Sequence, residues 1–462
     1  MSPPASRLVC AGCDAVPDWA EPYPFRCPNA GRDDDVDHVL RRELDLSAVR
    51  FPASDAEPNP FIRFRTLLHA YHVAMRGGMS DEAFCALVRG LDEKVAALDG
   101  HGFSETPFGR SSELSTALAF SEIGGVWVKD ETGNVSGSHK ARHLFGVLIH
   151  LEVADHLGLT ERGHRPELAI ASCGNAALAA GVIAAAGRRA LRVFVPAHAD
   201  QIVLRRLEQL GAQITVCDRD GIAGDPTYRR LLHAIDEGAL PFTCQGTLNG
   251  LAVEGGETLG WEIVSSGAAP DRLVVQVGGG ALASSCIHAF KEGVALGALA
   301  AMPGIDTVQT EGAWPLKRAL DAVGKRGDAA HALRFASHHR SAFMWPWENE
   351  PRSVAHGILD DETYDWLAVV EGMLATGGRA LVVDEETLEG ANALARETTG
   401  IDVDHTGSAG LAGLLALRAM GHIADDERVA VLFTGVVRTA PPPRRKDDEE
   451  FPRTRHPVAQ GL

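Results

Sequence analysis

Aromatic side chains, basic residues and long apolar runs are all scarce in this chain of 462 residues. Phe, Trp and Tyr together make up 6 %, and no apolar stretch approaches the roughly twenty residues that a membrane helix requires. Lys and Arg number 44 against 62 Asp and Glu, so the formal net charge is −18. We therefore expect no membrane span and no non-specific nucleic-acid binding, because that binding needs a basic surface. A small anionic ligand stays compatible with this charge, since a glycine-rich turn can bind phosphate inside an acidic protein.

Cysteine is sparse as well, with eight in the chain. Residues 1–5 lack the basic and then apolar pattern of a secretion signal. We therefore expect a cytoplasmic protein with reduced thiols. Five of the cysteines stand singly along the chain and are expected to be buried as small hydrophobic residues, namely Cys85, Cys173, Cys217, Cys244 and Cys286.

The other three cysteines lie in an irregular N-terminal segment. Cys10 and Cys13 resemble the first knuckle of a zinc ribbon, and Cys27 begins the second. A tetrahedral zinc site needs four ligands, yet Ala30 stands where the fourth cysteine is expected, and His38 is a distant substitute. We predict a degenerate ribbon that holds no metal, with Cys10, Cys13 and Cys27 as the remaining candidate ligands.

Short apolar runs alternate with helical segments from residue 168 onward, beginning with Leu168–Ala171. Strands separated by helices of ten to fifteen residues predict βαβ units and parallel sheets. The sequence thus predicts an α/β fold with two parallel-sheet domains. The predicted division is an irregular segment at residues 1–60, a large domain at 61–140 and 255–440, a small α/β domain at 141–254 and a charged tail at 441–462.

Residues 325–362 break this rhythm, and residues 338–347 concentrate aromatic and histidine side chains without periodicity. A long irregular insert in a compact domain is usually a functional loop or an interface. His338 and His339 are neighbours that point in different directions, so they predict a surface loop rather than a metal site.

Lys140 stands where a charged, glycine-bearing turn runs into a helical apolar pattern. Gly137 allows a sharp turn and Ser138 is a suitable N-cap. Lysine forms Schiff bases with carbonyl compounds, so a helix-mounted amine at this place is a candidate catalytic group. An ordinary surface lysine beside a capped helix is the alternative.

Three further turns follow strand ends, and in a parallel sheet such turns share the carboxyl edge, where ligands bind. The turn Ser172, Cys173, Gly174 and Asn175 can hold a carboxylate on its N–H groups. Gly278, Gly279 and Gly280 can crowd backbone N–H groups round a phosphate. Thr434 offers a hydroxyl at a late strand end. Each turn alone is also compatible with an ordinary strand connection without ligand.

Together, in this order and spacing, the four turns resemble the pyridoxal-phosphate enzymes of fold type II, the tryptophan synthase β superfamily. The resemblance covers about residues 100–440. It implies pyridoxal 5′-phosphate as cofactor, the large domain as its binding domain, a small-molecule amino acid as substrate, and a homodimer. It also implies that Lys140 attaches the cofactor covalently and that the other cofactor contacts come from Asn175, Gly278, Gly279, Gly280, Ala281, Leu282 and Thr434.

The resemblance assigns the substrate to His139 and to the turn formed by Ser172, Cys173, Gly174 and Asn175. His139 replaces the usual Phe before the lysine, Cys173 stands where Ser or Thr is common, and Ala281 where a fourth glycine is common. The first two departures change the walls near the substrate, so they affect specificity more than cofactor binding.

Two branches of the superfamily compete. The segment from Ser353 to Ile358 is similar to a motif of serine/threonine dehydratases, which release a 2-oxo acid and ammonia by β-elimination. The cysteine ribbon is instead similar to the N-terminus of some threonine synthases, which act on a phosphorylated amino acid by β/γ-replacement. We predict a lyase of the first kind. The alternatives are the threonine synthase-like reaction and a regulatory paralogue that binds the cofactor without turnover.

Overall fold

A computed structural model describes residues 5–31, 34–52, 57–161, 163–218 and 225–438; the predicted charged tail at 441–462 lies outside them. Twelve strands in these ranges form three sheets. In chain order they are β1 (Ser6–Cys10), β2 (Leu40–Leu44), β3 (Phe108–Ser111), β4 (Gly125–Asp130), β5 (Leu168–Ala171), β6 (Leu191–Pro196), β7 (Gln213–Cys217), β8 (Leu240–Pro241), β9 (Arg272–Gln276), β10 (Gly304–Thr310), β11 (Ala380–Val383) and β12 (Arg428–Phe433).

The largest sheet has the order β11-β10-β9-β12-β4-β3. Its first five strands are parallel, and β3 pairs antiparallel with β4 at one edge. The last strand of the chain, β12, lies between β9 and β4, and its residues 429–433 are fully buried. Such continuous apolar strands are typical of a parallel sheet covered on both faces. This insertion brings the carboxyl ends of β4, β9 and β12 next to one another.

A second parallel sheet has the order β7-β6-β5-β8. The chain enters it after β4 and leaves it before β9, so the small sheet is an excursion from the large one. The prediction of an α/β fold with two parallel-sheet units is confirmed.

Fifteen α-helices connect and cover the sheets in the described part of the chain. They are α1 (Pro60–Arg63), α2 (His69–Arg76), α3 (Asp81–Asp99), α4 (Ser112–Ala117), α5 (Lys140–His156), α6 (Asn175–Ala186), α7 (Gln201–Gln209), α8 (Pro226–Asp236), α9 (Leu251–Ser265), α10 (Ala281–Ala295), α11 (Pro315–Gly324), α12 (Ala329–Ser337), α13 (Trp366–Thr376), α14 (Glu385–Thr399) and α15 (His405–Ala419). Among the described residues, none of these helices combines the length and apolar character needed to cross a membrane.

The two helices that carry the chain into and out of the small sheet, α5 and α9, touch backbone to backbone. A Cβ atom added to Gly146 would lie 2.9 Å from Cα of Gly255, which is closer than real Cβ contacts allow. Glycine at both positions removes the side chains that would hold the helices apart. The helices therefore cross near the start of α5, two turns from Lys140.

Two predictions about irregular segments are wrong. The N-terminal residues contain the antiparallel pair β1–β2, which joins Cys10 to Leu40 in register. The segment 325–362 contains α12, capped by Asp328, whose side chain accepts a hydrogen bond from the N–H of His331. Both elements bury only a short apolar face, so their periodicity is weak in the sequence.

Candidate active site

Lys140 is the first residue of α5, at the carboxyl edge of the large sheet. The predicted cap is wrong: His139 occupies the N-cap position, while Ser138 lies one residue earlier and pairs with Gly435 in an isolated bridge. The Ser138 hydroxyl is buried and has no hydrogen-bond partner among the described residues. The backbone N–H of His139 donates to the carbonyl of Thr434 at 3.3 Å. The lysine turn and the last strand therefore meet, as predicted.

The Lys140 amine is half-buried and makes no hydrogen bond or ion pair with the described residues. Its charge acts on Cys244, Asp360 and Asp365, which come from the loop after β8 and from the segment before α13. Burial raises the pKa of Asp365 to about 7, against the smaller lowering effects of the Gly246 N–H and of Lys140. A nucleophilic amine without a partner, facing groups with perturbed pKa values, is typical of a reactive centre.

His139 forms one wall next to this amine. Burial first, and then the neighbouring charge of Lys140, lowers the pKa of His139 well below its usual value, so the imidazole is neutral. Its Nδ1 lies 3.3 Å from the carbonyl oxygen of Thr434, while its buried Nε2 has no partner within the described chain. The ring therefore keeps a polar atom that a ligand could contact, and the place of His139 in the substrate wall stays a prediction.

The turn Ser172–Asn175 ends β5 and begins α6, and all four residues are half-buried. Arg438 Nη2 donates to Asn175 Oδ1 at 2.6 Å, so the amide is oriented with Nδ2 as the free donor. A Cβ atom added to Gly435 would lie 2.6 Å from that Nδ2. Glycine at 435 thus lets the amide come down onto the end of β12, which brings the second and fourth turns together.

The glycine tract leads from β9 into α10, with Gly280 in the left-handed region at φ +96°. The helix begins without a side-chain cap, so its first N–H groups are free for an anion. The segment before α13 covers the tract, since Thr363 Oγ1 donates to the Gly278 carbonyl at 3.0 Å and the Asp365 N–H donates to the Gly279 carbonyl at 3.0 Å. Ala281 and Leu282 form the buried first turn of α10.

Asp360 reaches into this tract. Its carboxylate lies against the place where Gly278 and Gly279 would carry side chains, and the Gly279 N–H acts on it. Burial raises the pKa of Asp360 above the ordinary aspartate value, against the lowering effects of Lys140 and of that N–H. The carboxylate shows that the glycine turn presents its donors to an anion, and the raised pKa favours a protonated Asp360 once another anion comes close.

Thr434 lies at the end of β12, 2 % exposed. Its hydroxyl oxygen accepts a hydrogen bond from Gln276 Nε2 at 2.8 Å, and the same amide donates to the carbonyls of Gly407 and Leu432. Because this oxygen already accepts from Gln276, the hydroxyl proton is left to donate to a ligand. Gln276 therefore orients the Thr434 hydroxyl so that it acts as a donor towards a ligand.

Three candidate functional residues are not predicted from the sequence, namely Gln276, Asp360 and Arg438. Gln276 does leave a signal, because it is an amide inside an otherwise apolar strand. Asp360 and Arg438 leave none, since each depends on a contact across the fold. In contrast, His338 and His339 are exposed, and the His339 ring stacks on Phe335 at 3.9 Å, in agreement with the surface position predicted for them.

Residues 101–435 match the family model described as pyridoxal-phosphate dependent enzyme. The chain belongs to this family.

The resemblance to fold type II is thus confirmed, and pyridoxal 5′-phosphate is the family's cofactor. Curated relatives include the threonine synthase of Methanocaldococcus jannaschii, 26 % identical over 74 % of this chain and 76 % of that protein. The threonine synthase of Methanosarcina acetivorans is 28 % identical over 71 % of this chain and 74 % of its own length.

Several solved structures share the fold. Diaminopropionate ammonia lyase from Escherichia coli superposes with a TM-score of 0.57 at 18 % identity, over 76 % of this chain and 88 % of that one. Threonine deaminase isoform 2 from Solanum lycopersicum gives 0.56 at 16 % identity, over 84 % and 94 %. At these identities the similarity establishes the architecture and not the substrate.

The residues of the site fit the family's cofactor. The glycine tract offers backbone donors and carries no side chains of its own, and any Cβ atom on Gly280 would press on Thr363 at 2.9 Å. The Ser138 hydroxyl and His139 Nε2 are buried polar atoms without a partner among the described residues. Buried polar groups rarely stay unpaired, so these atoms and the free amine of Lys140 match a polar ligand in the cleft.

Proposed function

We propose that this protein is a pyridoxal-phosphate dependent amino-acid lyase that carries out β-elimination, of the serine/threonine ammonia-lyase kind, giving a 2-oxo acid and ammonia. The observation that carries the proposal is the half-buried amine of Lys140, which has no hydrogen-bond or ion-pair partner among the described residues and whose charge acts on Asp360 beside the glycine tract. An amine in this place is positioned to act on the α-carbon of an amino acid whose carboxylate lies on the turn.

Lys140 would hold the cofactor covalently, Gly278–Gly280 with Ala281 and Leu282 would hold its phosphate, and Asn175 and Thr434 its ring substituents. When bound, pyridoxal phosphate supplies an electron sink for the bond that breaks at the α-carbon. Thr434 is a neutral donor held by Gln276 and not a carboxylate, so it favours an uncharged acceptor on the ring. A neutral donor at this position is expected to favour rapid loss of a β-substituent and to disfavour transamination.

The chain's own groups account for the protons. The substrate carboxylate binds at the turn before α6, where the N–H groups and the helix dipole favour an anion. In its unprotonated form the Lys140 amine would remove the α-proton as general base. The ammonium so formed can return that proton to the departing hydroxyl, so the group leaves as water. His139 is neutral and adds no charge to this exchange.

A threonine synthase-like replacement on a phosphorylated amino acid is the second candidate. Curated relatives carry that name, and Arg438 supplies a cation beside Asn175. Burial lowers the pKa of Arg438, which shows that its charge lacks full compensation from the nearby carboxylates. A phosphate on the substrate would supply the missing negative charge.

The cofactor is tested first. Purified protein given pyridoxal phosphate should develop the visible absorption band of a lysine-bound cofactor, Lys140→Ala should lose it, and Lys94→Ala, at an exposed lysine, should keep it. A wild type that stays colourless removes the enzyme proposal.

The reaction is tested next by two assays. Release of 2-oxo acid from serine or threonine supports the lyase, and release of phosphate from phosphohomoserine supports the second candidate. A coloured protein that is silent in both assays, and whose spectrum is unchanged by a panel of amino acids, identifies the regulatory alternative.

A further inference from the structure

The N-terminal cysteines do not stand apart in the fold. Cys10 ends β1, Cys13 follows in the next turn, and Cys27 comes back to them after a loop. His38 precedes β2, and the antiparallel pairing of β1 with β2 places it against Cys10. One ligand atom from each of these four side chains lies within 4.8 Å of the other three.

The spacings match a tetrahedral site. Cys10 Sγ lies 3.3 Å from His38 Nδ1, and Cys13 Sγ lies 3.6 Å from Cys27 Sγ. Zinc–sulfur bonds of about 2.3 Å and zinc–nitrogen bonds of about 2.0 Å arranged as a tetrahedron separate neighbouring ligand atoms by about 3.3–3.8 Å. A disulfide would need about 2.05 Å between the sulfurs.

Groups around the cluster prepare its ligands. Asp34 Oδ2 lies 2.7 Å from His38 Nε2, so the imidazole carries its proton on Nε2 and turns the lone pair of Nδ1 towards Cys10. A carboxylate behind a metal-bound histidine is a recurrent arrangement. The Asn29 backbone N–H donates to Cys27 Sγ, and its side-chain amide donates to Cys13 Sγ. Such donors stabilise thiolates.

We propose that Cys10, Cys13, Cys27 and His38 bind one zinc ion. Ala30 does not break the site, because β2 supplies a histidine in place of the fourth cysteine. Three sulfur ligands and one nitrogen ligand select zinc over hard cations. All four positions are filled by protein, so the ion is structural and leaves no place for a substrate.

The ion would fix the segment Asp34–His38 against the wall of the cofactor cleft. Asp35 accepts from the N–H groups of Arg340 and Ser341, and Asp37 Oδ1 accepts from Arg340 Nε at 3.0 Å. Arg340 in turn donates to Glu362, in the segment that covers the glycine tract. The zinc thus supports that segment without touching the cofactor.

Metal content is the test, measured on the full-length protein purified without a histidine tag. We expect one zinc per chain, and substitution with Co²⁺ should give the visible bands of a tetrahedral thiolate site. Cys27→Ser and His38→Asn should lose the metal. Asp34→Asn, at an exposed residue that is not a ligand, should keep the fold and weaken zinc affinity by about 10–100-fold. Cys217→Ser, in the small sheet, is the control that should retain zinc.

Reduced protein that binds neither zinc nor cobalt overturns the site. So does a Cys13–Cys27 disulfide found by mass spectrometry in protein purified under reducing conditions, or metal content equal in wild type and His38→Asn. The measurement is independent of turnover, so it stands whether or not the lyase proposal holds.

Discussion

We expect Asp360 to compete with the cofactor phosphate at the glycine tract, and the variant Asp360→Asn measures this competition. The Gly279 N–H, which a phosphate in the tract would need, acts on the Asp360 carboxylate and lowers its pKa. In Asp360→Asn the side chain keeps its shape and loses its charge. We expect pyridoxal phosphate to bind the variant more tightly, since the repulsion between the carboxylate and the phosphate is removed.

The size of the expected gain in affinity for pyridoxal phosphate follows from Coulomb's law. Two unit charges about 4 Å apart interact by about 4 kcal/mol at the effective dielectric of a protein surface. Asp360 is partly exposed and can take up a proton, so solvent screening and protonation remove a large part of the repulsion energy between its carboxylate and the phosphate. We expect about 1–2 kcal/mol to remain, which lowers the dissociation constant of pyridoxal phosphate by roughly 5–30-fold.

The assay compares pyridoxal phosphate with pyridoxal, which lacks the phosphate, in titrations of the cofactor-free protein. Only the phosphorylated ligand should gain affinity in Asp360→Asn. Because the pKa of Asp360 is raised, the wild type should lose affinity for pyridoxal phosphate as pH rises through that pKa and the charged form returns. The variant should lack this component.

Asp426→Asn, on an exposed turn before β12, removes the same charge far from the cleft and serves as the control. An equal gain for both ligands, or weaker binding of pyridoxal phosphate to Asp360→Asn, would show that Asp360 does not face the phosphate and would refute the reasoning.

Three further changes test other parts of the site. Thr434→Val removes the hydroxyl that would donate to the cofactor, while the Gln276 amide keeps the carbonyls of Gly407 and Leu432 as acceptors, so cofactor affinity should fall about fivefold or more in absorbance titrations, whereas Thr434→Ser should stay near wild type. Arg142→Met leaves the buried Glu262 with only one cation, so denaturant unfolding should show a loss of about 3–5 kcal/mol. Burial lowers the pKa of His150 from 6.5 to about 4. As the pH falls below 6.5, the His150 imidazole is protonated in the unfolded chain before it is protonated in the folded one, so the free energy of unfolding decreases. Between pH 7 and 5, His150→Gln should therefore lose about 2 kcal/mol less stability than the wild type in the same assay.

Sequence patterns are sufficient to predict the strands whose ends form the candidate site. Leu168–Ala171 and Arg428–Phe433 are apolar runs that end in small-residue turns, and buried parallel strands need such runs. The convergence of the four turns follows from the rule that parallel strands share a carboxyl edge. Bridges between Ser138 and Gly435, and between Gln276 and Thr434, join these turns in the structure.

Long-range pairings are what the sequence cannot supply. Arg438 orients Asn175 across 263 positions, and no local pattern records this. The approach of His38 to Cys10 depends on the register of two short strands, 28 residues apart, and that register is not readable from the spacing of cysteines. The prediction of Ser138 as the N-cap of α5 is wrong for a related reason, because Ser138 pairs with Gly435, just after the last strand.

The glycine contact between α5 and α9 limits how the two sheets can move. Both connections to the small sheet pass through one crossing where the backbones touch, so we expect any relative motion of the two sheets to be a rotation about this contact and not a sliding of the helices. Lys140 lies about two turns from the contact, so we expect such a rotation to move the Ser172–Asn175 turn more than the amine. We expect a bulky residue at Gly146 or Gly255 to force α5 and α9 apart at their crossing and to keep the Ser172–Asn175 turn away from the Lys140 amine.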